Sequence, residues 1–276
     1  MAASPPPLVL VKLGGSLLTD KTRPGVAHEA VIARLGAELA ALAKRRDLRL
    51  IVGHGSGSFG HAEAARARIK DGLTSPRQRS GASATQARAR ELHTKVIDAL
   101  LAAGAAPFSL APSSFLTTRD GKVASLHLEP FIAALEAGFL PVTYGDVVMD
   151  HTRGVAIAST ETVLLALARR LLKKGHAVRA ALWLGTTAGV LDEAGATIPH
   201  LAARTTLGAH VSGAAGIDVT GGMRHRVASA QTLARLGVNS WILNGREPGV
   251  MAKALAGRRV LGTWVGGDRS VPRSPL

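Results

Sequence analysis

Apolar positions fall into two patterns along this chain: short unbroken runs, and longer stretches where they recur every three or four residues. Runs at 8–13, 50–52, 140–143, 180–184, 240–243 and 260–265 predict buried strands. The helical repeat predicts helices over 28–45 (Val31, Ile32, Leu35, Leu39, Leu42), 84–102, 131–137, 159–174, 223–236 and 250–255. Arg119-Asp120-Gly121-Lys122 signals a hairpin within the turn-rich stretch 109–128. The segment 147–158, broken by Asp150-His151-Thr152-Arg153-Gly154, predicts a second hairpin. Residues 71–84 predict an irregular surface connection, 205–222 a glycine-rich loop and 266–276 a loose tail. Strands alternating with helices predict an α/β sandwich around a mainly parallel sheet, with hairpins added in the first half. No linker divides the 276 residues, so a single domain is expected.

The strand at 50–52 opens into Gly53-His54-Gly55-Ser56-Gly57-Ser58-Phe59-Gly60-His61, with a helix expected from about Gly60. Such a loop lets successive backbone N–H groups converge on an anion, and a following helix N-terminus faces the same point. His61 adds a donor that titrates near neutral pH. By itself the loop is equally a tight turn between strand and helix. It gains weight from other glycine turns at 14–15 and near 220.

Charge narrows the choice. Lys and Arg number 34 against 19 acidic residues, a formal net charge of +15. Basic residues are scattered over expected helix faces, and aromatics are only 3%, which leaves little material for base stacking. Phosphorylated small molecules therefore suit the charge better than nucleic acid. The absence of cysteine excludes disulfides and thiolate metal sites. Neither a secretory leader nor a membrane-spanning run is read from the sequence, and a cytoplasmic protein is expected.

Lys12 ends an apolar strand just before Gly14-Gly15, and Lys21 follows in Thr19-Asp20-Lys21. Lysines beside a cradle of amide donors suit phosphoryl transfer, where the protein positions groups and neutralises developing charge. A solvated surface residue is the bland alternative, and it fits Lys21 better than Lys12. Neither glycine loop has the P-loop pattern or a complete dinucleotide fingerprint. No nucleophile elbow sits between strand and helix, and the histidines lack metal-ligand spacing with carboxylates.

Lys12-Leu-Gly-Gly-Ser, Thr19-Asp-Lys21, His54-Gly-Ser-Gly-Ser-Phe-Gly-His61, Pro141-Val-Thr-Tyr-Gly-Asp146-Val-Val and Asp218-Val-Thr-Gly-Gly-Met223 occur in that order. With these motifs, spread over about 8–265, the chain resembles the amino acid kinase superfamily and within it the isopentenyl phosphate kinases. The resemblance implies an open αβα sandwich that transfers phosphate from ATP, with Mg²⁺, to isopentenyl phosphate. About 1–175 would form the substrate-binding half and about 176–265 the nucleotide-binding half. Lys12 and Lys21 would stabilise the transferring phosphoryl group, with Glu161 orienting them. His61 would hold the acceptor phosphate with the N–H groups of Ser56 and Gly57. Gly145, Asp146 and Thr160 would complete the substrate side, and a pocket roofed by 84–102 would take the isoprenoid tail. Lys12, Gly14, Gly15, Gly57, Thr186, Gly221, Gly222 and Arg226 would contact the nucleotide. A homodimer is the expected assembly.

The chain departs from that family's pattern at identifiable places. Ser56 stands inside the family's triple glycine, and Ser159-Thr160-Glu161 replaces Ser-Gly-Asp. Gly185-Thr186-Thr187-Ala188-Gly189 lacks the two usual carboxylates, and Arg226 replaces a lysine. With no carboxylates at 186 and 188, Mg²⁺ is expected to be held mainly by ATP phosphates and water. Two further readings stay open: a related phosphate or phosphonate kinase resembling fosfomycin kinase, and a non-catalytic anion-binding homologue.

Overall fold

The computed structural model describes residues 5–205 and 221–267. In chain order the first elements are β1 (Leu8–Leu13), α1 (Gly15–Leu18), α2 (Glu29–Ala43), β2 (Arg49–His54), α3 (Gly57–Arg66) and α4 (Pro76–Ala102). Then come β3 (Pro107–Ser109), α5 (Pro112–Phe115), β4 (Leu116–Arg119), β5 (Lys122–Leu126), α6 (Glu129–Glu136), β6 (Leu140–Tyr144), β7 (Asp146–Asp150) and β8 (Gly154–Ala158). The rest are α7 (Thr160–Lys173), β9 (Val178–Gly185), β10 (His200–Ala202), α8 (Gly221–Arg235), β11 (Asn239–Asn244), α9 (Val250–Leu255) and β12 (Gly262–Gly266).

Strand β1 is the middle of the molecule. It pairs in parallel with β2 on one side and β9 on the other, inside an eight-stranded sheet of order β10-β12-β11-β9-β1-β2-β6-β3. Neighbours run parallel except at β11–β12, where the pairing is antiparallel. An unbroken apolar run at β1 follows from burial on both faces. Val9, Val11 and Leu13 pack with helices α2, α4 and α9, whereas Leu8 and Leu10 pack with α7 and α8. The architecture is the open αβα sandwich, and strands from both ends of the chain share the one sheet.

A second, four-stranded sheet of order β5-β4-β7-β8 carries both predicted hairpins. Asp120 and Gly121 have φ of +50° and +72°, as a two-residue turn with matching strand twist requires. Asp150 fastens the two hairpins together. Its carboxylate accepts from Thr118 Oγ1 at 2.7 Å, Gly121 N at 2.8 Å, Thr152 N at 2.9 Å and Arg153 N at 2.8 Å.

Helix α4 corrects the expected surface connection at 71–84, because it begins at Pro76 and runs for 27 residues. Its start is a cap: Gln78 Oε1 accepts from Ser75 N at 2.9 Å, and proline follows at the first helical position. The buried face over this extra length is Gln78, Gly81 and Ala82. Helical spacing is present, but the residues are small or polar, so an apolar repeat does not reveal it. Helix α3 likewise starts at Gly57, earlier than about Gly60. The short elements β3, α1, α5 and β10 carry no periodic signal. Of the glycine-rich loop and tail, 206–220 and 268–276 lie outside the described residues.

Candidate active site

Strands β1, β2, β9 and β11 run parallel, so their carboxyl ends open onto one crevice. The turns that follow them are laced together by backbone hydrogen bonds. Gly14 N donates to Leu184 O at 2.8 Å, Gly55 N to Leu13 O at 2.9 Å, Gly145 N to His54 O at 2.9 Å and Gly245 N to Gly185 O at 2.8 Å. Residues 14–15, 55–57, 145 and 185 thereby form one continuous rim.

Lys12 lies at the floor of this rim, only 5% exposed. Its Nζ donates to Glu161 Oε1 at 2.6 Å, from the first turn of α7. Burial and then the nearby Arg226 guanidinium press the Lys12 ammonium toward deprotonation, while Glu161 opposes them; the net direction is downward. Burial pushes the Glu161 carboxyl up, but the Lys12 contact and Arg226 outweigh it and hold Glu161 ionised. Glutamate is one methylene longer than aspartate, and it still reaches the lysine. Arg226, buried in α8, lies against two strand-end glycines. A Cβ built on Gly14 would stand 3.5 Å from its Nη2, and one on Gly185 would stand 2.5 Å from its Nη1. The three charges Lys12, Glu161 and Arg226 thus meet between the ends of β1 and β9.

The acceptor-side loop closes onto the turn after β1. A Cβ on Gly15 would fall 2.5 Å from Gly57 N, so only glycine permits this approach. Gly57 itself has φ +52° at the start of α3. Thr19 pins the junction, accepting from Ser58 N at 2.9 Å and donating to Gly15 O at 2.9 Å. Ser56 precedes the helix with its side chain against Gly60, where a Cβ would lie 2.6 Å from Ser56 Oγ. The serine hydroxymethyl is therefore accommodated behind the loop. His61 is exposed, on the same helix. Desolvation and then Lys12 lower its pKa, Glu161 opposes, and Lys70 and Lys21 lower it further. Lys21 follows Asp20, whose carboxylate accepts from Thr22 N at 2.8 Å and Arg23 Nε at 2.7 Å and so shapes the turn. Lys12, Lys21, Glu161 and His61 thus occupy one electrostatic neighbourhood.

Thr160 donates from Oγ1 to His54 O at 2.6 Å, so its hydroxyl serves the backbone at the end of β2. Its methyl and hydroxyl fit because positions 53 and 145 are glycines: Cβ atoms there would lie 2.7 Å from Thr160 Cγ2 and 3.2 Å from Oγ1. Asp146 is buried and accepts from Val147 N at 2.8 Å. Burial raises its pKa, while hydrogen bonds from Ser113 and Val147 and the charge of Arg90 oppose the rise. Thr186 lies half-buried in the turn after β9, and Gly221 and Gly222 open α8. Asp218, Val219 and the Thr220 position fall outside the described residues. Sequence reasoning gave no role to Thr19 or to the buried His54. Their motifs were visible, but the contacts that use them cross from one turn to another.

Among the described residues no group of three or more His, Cys, Asp or Glu side chains is placed to hold a metal ion. Glu161 is already committed to Lys12. No step below passes through a protein-held metal. No helix among the described residues is long and apolar enough to cross a membrane.

Strand-end glycine turns around a buried, carboxylate-paired lysine suit a phosphotransferase. The family model described as the amino acid kinase family matches residues 7–244, and the chain belongs to that family. Its relatives carry a narrower name. The isopentenyl phosphate kinase of Methanothermobacter thermautotrophicus is 31% identical over 274 residues, 94% of this chain and 99% of that protein. The isopentenyl phosphate kinase of Haloferax volcanii is 34% identical over 254 residues, 89% of this chain and 98% of that one. A solved structure described as an isopentenyl phosphate kinase superposes with a TM-score of 0.77 at 27% identity, covering 93% of this chain and 99% of its own.

Proposed function

We propose that this protein is an isopentenyl phosphate kinase, which moves the γ-phosphoryl group of ATP onto the phosphate of isopentenyl phosphate, releasing ADP. The observation that carries the reading is Lys12, buried and paired with Glu161 between the turn after β2 and the turn after β9. An acceptor held by Ser56 N–H, Gly57 N–H and His61 faces it from one side. ATP phosphates held by Gly14, Gly15 and the α8 N-terminus with Arg226 face it from the other. The lysine can then neutralise charge gathering on the oxygens in flight. Lys21 adds a second cation from the rim. The division into substrate half and nucleotide half belongs to this reading, as does Mg²⁺ carried by ATP phosphates and water. So does a cytoplasmic homodimer, which sedimentation and fractionation test.

The deciding experiment follows ADP release and ³¹P spectra with ATP alone, with isopentenyl phosphate and with fosfomycin. Diphosphate signals and ADP release that require isopentenyl phosphate support the proposal. Turnover of the phosphonate in preference would replace the acceptor. ATP binding without transfer to either would favour the non-catalytic reading.

A further inference from the structure

Under the acceptor loop lies a buried cluster that the transfer step does not use. His54, the last residue of β2, and His93, on α4, are both buried. His54 Nε2 lies 2.9 Å from His93 Nδ1, and His93 Nε2 lies 2.7 Å from Ser109 Oγ at the end of β3. His54 Nδ1 lies 3.2 Å from the carbonyl oxygen of Gly55. Tyr144 flanks both rings, with centroids 5.7 Å from His54 and 4.4 Å from His93.

The partners dictate where the protons are. A carbonyl oxygen only accepts, so Nδ1 of His54 must carry hydrogen. Desolvation keeps both rings neutral, lowering His54 to about 4 and His93 to about 3. Nε2 of His54 is then bare and accepts from Nδ1 of His93. That leaves Nε2 of His93 to accept from the Ser109 hydroxyl. Donation runs in one direction, from Ser109 through His93 and His54 to Gly55 O. Reversal would set a bare His54 nitrogen against the carbonyl oxygen.

The end of this chain matters for the loop. The described residues include no cis peptide, so the C=O of Gly55 and the N–H of Ser56 point in opposite directions. Gly55 is fixed on its other side by the bond from its own N–H to Leu13 O, 2.9 Å. With its carbonyl drawn inward to His54, the Ser56 N–H is turned outward. We propose that His54 and His93 are positioning residues whose one-way relay fixes the Gly55–Ser56 peptide and presents the Ser56 N–H to the acceptor phosphate. This rests on the acceptor-side role of the loop proposed above.

Two measurements test it. The first is ¹⁵N-histidine NMR of the unaltered protein without substrate, assigned with His54 and His93 variants. Hydrogen on Nδ1 of both rings is expected, and hydrogen on Nε2 of either ring overturns the relay even in an active enzyme. Nδ1 hydrogens on both rings without any turnover of isopentenyl phosphate would support the relay and overturn the substrate assignment. The second compares His93→Phe, which keeps a ring beside Tyr144, with His93→Asn, whose amide nitrogen can replace Nδ1 as donor. His93→Phe should raise the acceptor KM roughly tenfold, the worth of one hydrogen bond, with the ATP KM unchanged. His93→Asn should recover most of that loss. Equal KM increases in both folded variants, or a parallel rise in the ATP KM, would overturn the proposal.

Discussion

Replacing Glu161 with Gln tests whether the carboxylate keeps Lys12 charged. The pair is buried, with Nζ and Oε1 2.6 Å apart, and burial and Arg226 already press on the ammonium. Unit charges about 4 Å apart at an effective dielectric of about 20 attract by about 4 kcal/mol, roughly a thousandfold in a protonation equilibrium. Without that attraction the balance at Lys12 should shift further toward the neutral amine. A neutral amine cannot answer charge on the transferred group, so kcat at pH 7 should fall by roughly two to three decades. The assay is kcat against pH from the ADP release. The variant should regain activity as pH falls, whereas the parent stays flat. Stability gives an independent sign. The variant's folded state holds Lys12 neutral while the unfolded chain, with its lysine near 10.5, still binds the proton. The variant should therefore become more stable as pH rises toward that value, as read from denaturant midpoints. A folded variant with a flat pH profile and kcat within about threefold of the parent would refute the argument.

Gly185→Ala should imitate Arg226→Ala, because the new methyl would occupy the place of Arg226 Nη1. Both should raise the ATP KM by roughly tenfold, the worth of a charge-assisted contact, and leave the acceptor KM unchanged in steady-state assays. His61→Ala should raise the acceptor KM by roughly one to two decades and spare that of ATP; equal effects on both would make His61 a structural residue. Neutral burial of His54 predicts acid lability. Its folded pKa, lowered to about 4, lies below that of the unfolded chain, so stability should fall as pH drops from about 6.5 toward 4. Denaturation at stepped pH checks this, and His54→Asn should flatten that part of the curve.

The core of the sandwich was legible because β1, β2, β9 and β11 are buried on both faces and read as unbroken apolar runs. The first two turns of α4 were not, because their inward face is Gln78, Gly81 and Ala82, chosen for close packing instead of apolar bulk. Gly81 shows why: a Cβ there would collide with the Ala67 methyl. In the site, Lys12 and the glycine turns stood out from their place at strand ends. The Lys12–Glu161 pair spans 149 positions and no local spacing announces it; family likeness supplied it. The fit of Thr160 depends on glycines at 53 and 145 together, a three-body condition that is visible only once the chain is folded.

Because β1 is bonded directly to both β2 and β9, the sheet works as a ruler. Neighbouring strands stand about 4.8 Å apart, so the turns that flank Lys12 are separated by roughly 10 Å, a span set by peptide hydrogen bonds. Both turns belong to the same continuous eight-stranded sheet. On the acceptor placement proposed above, a molecule ending one phosphate short or one phosphate long would misplace its attacking oxygen by several ångströms.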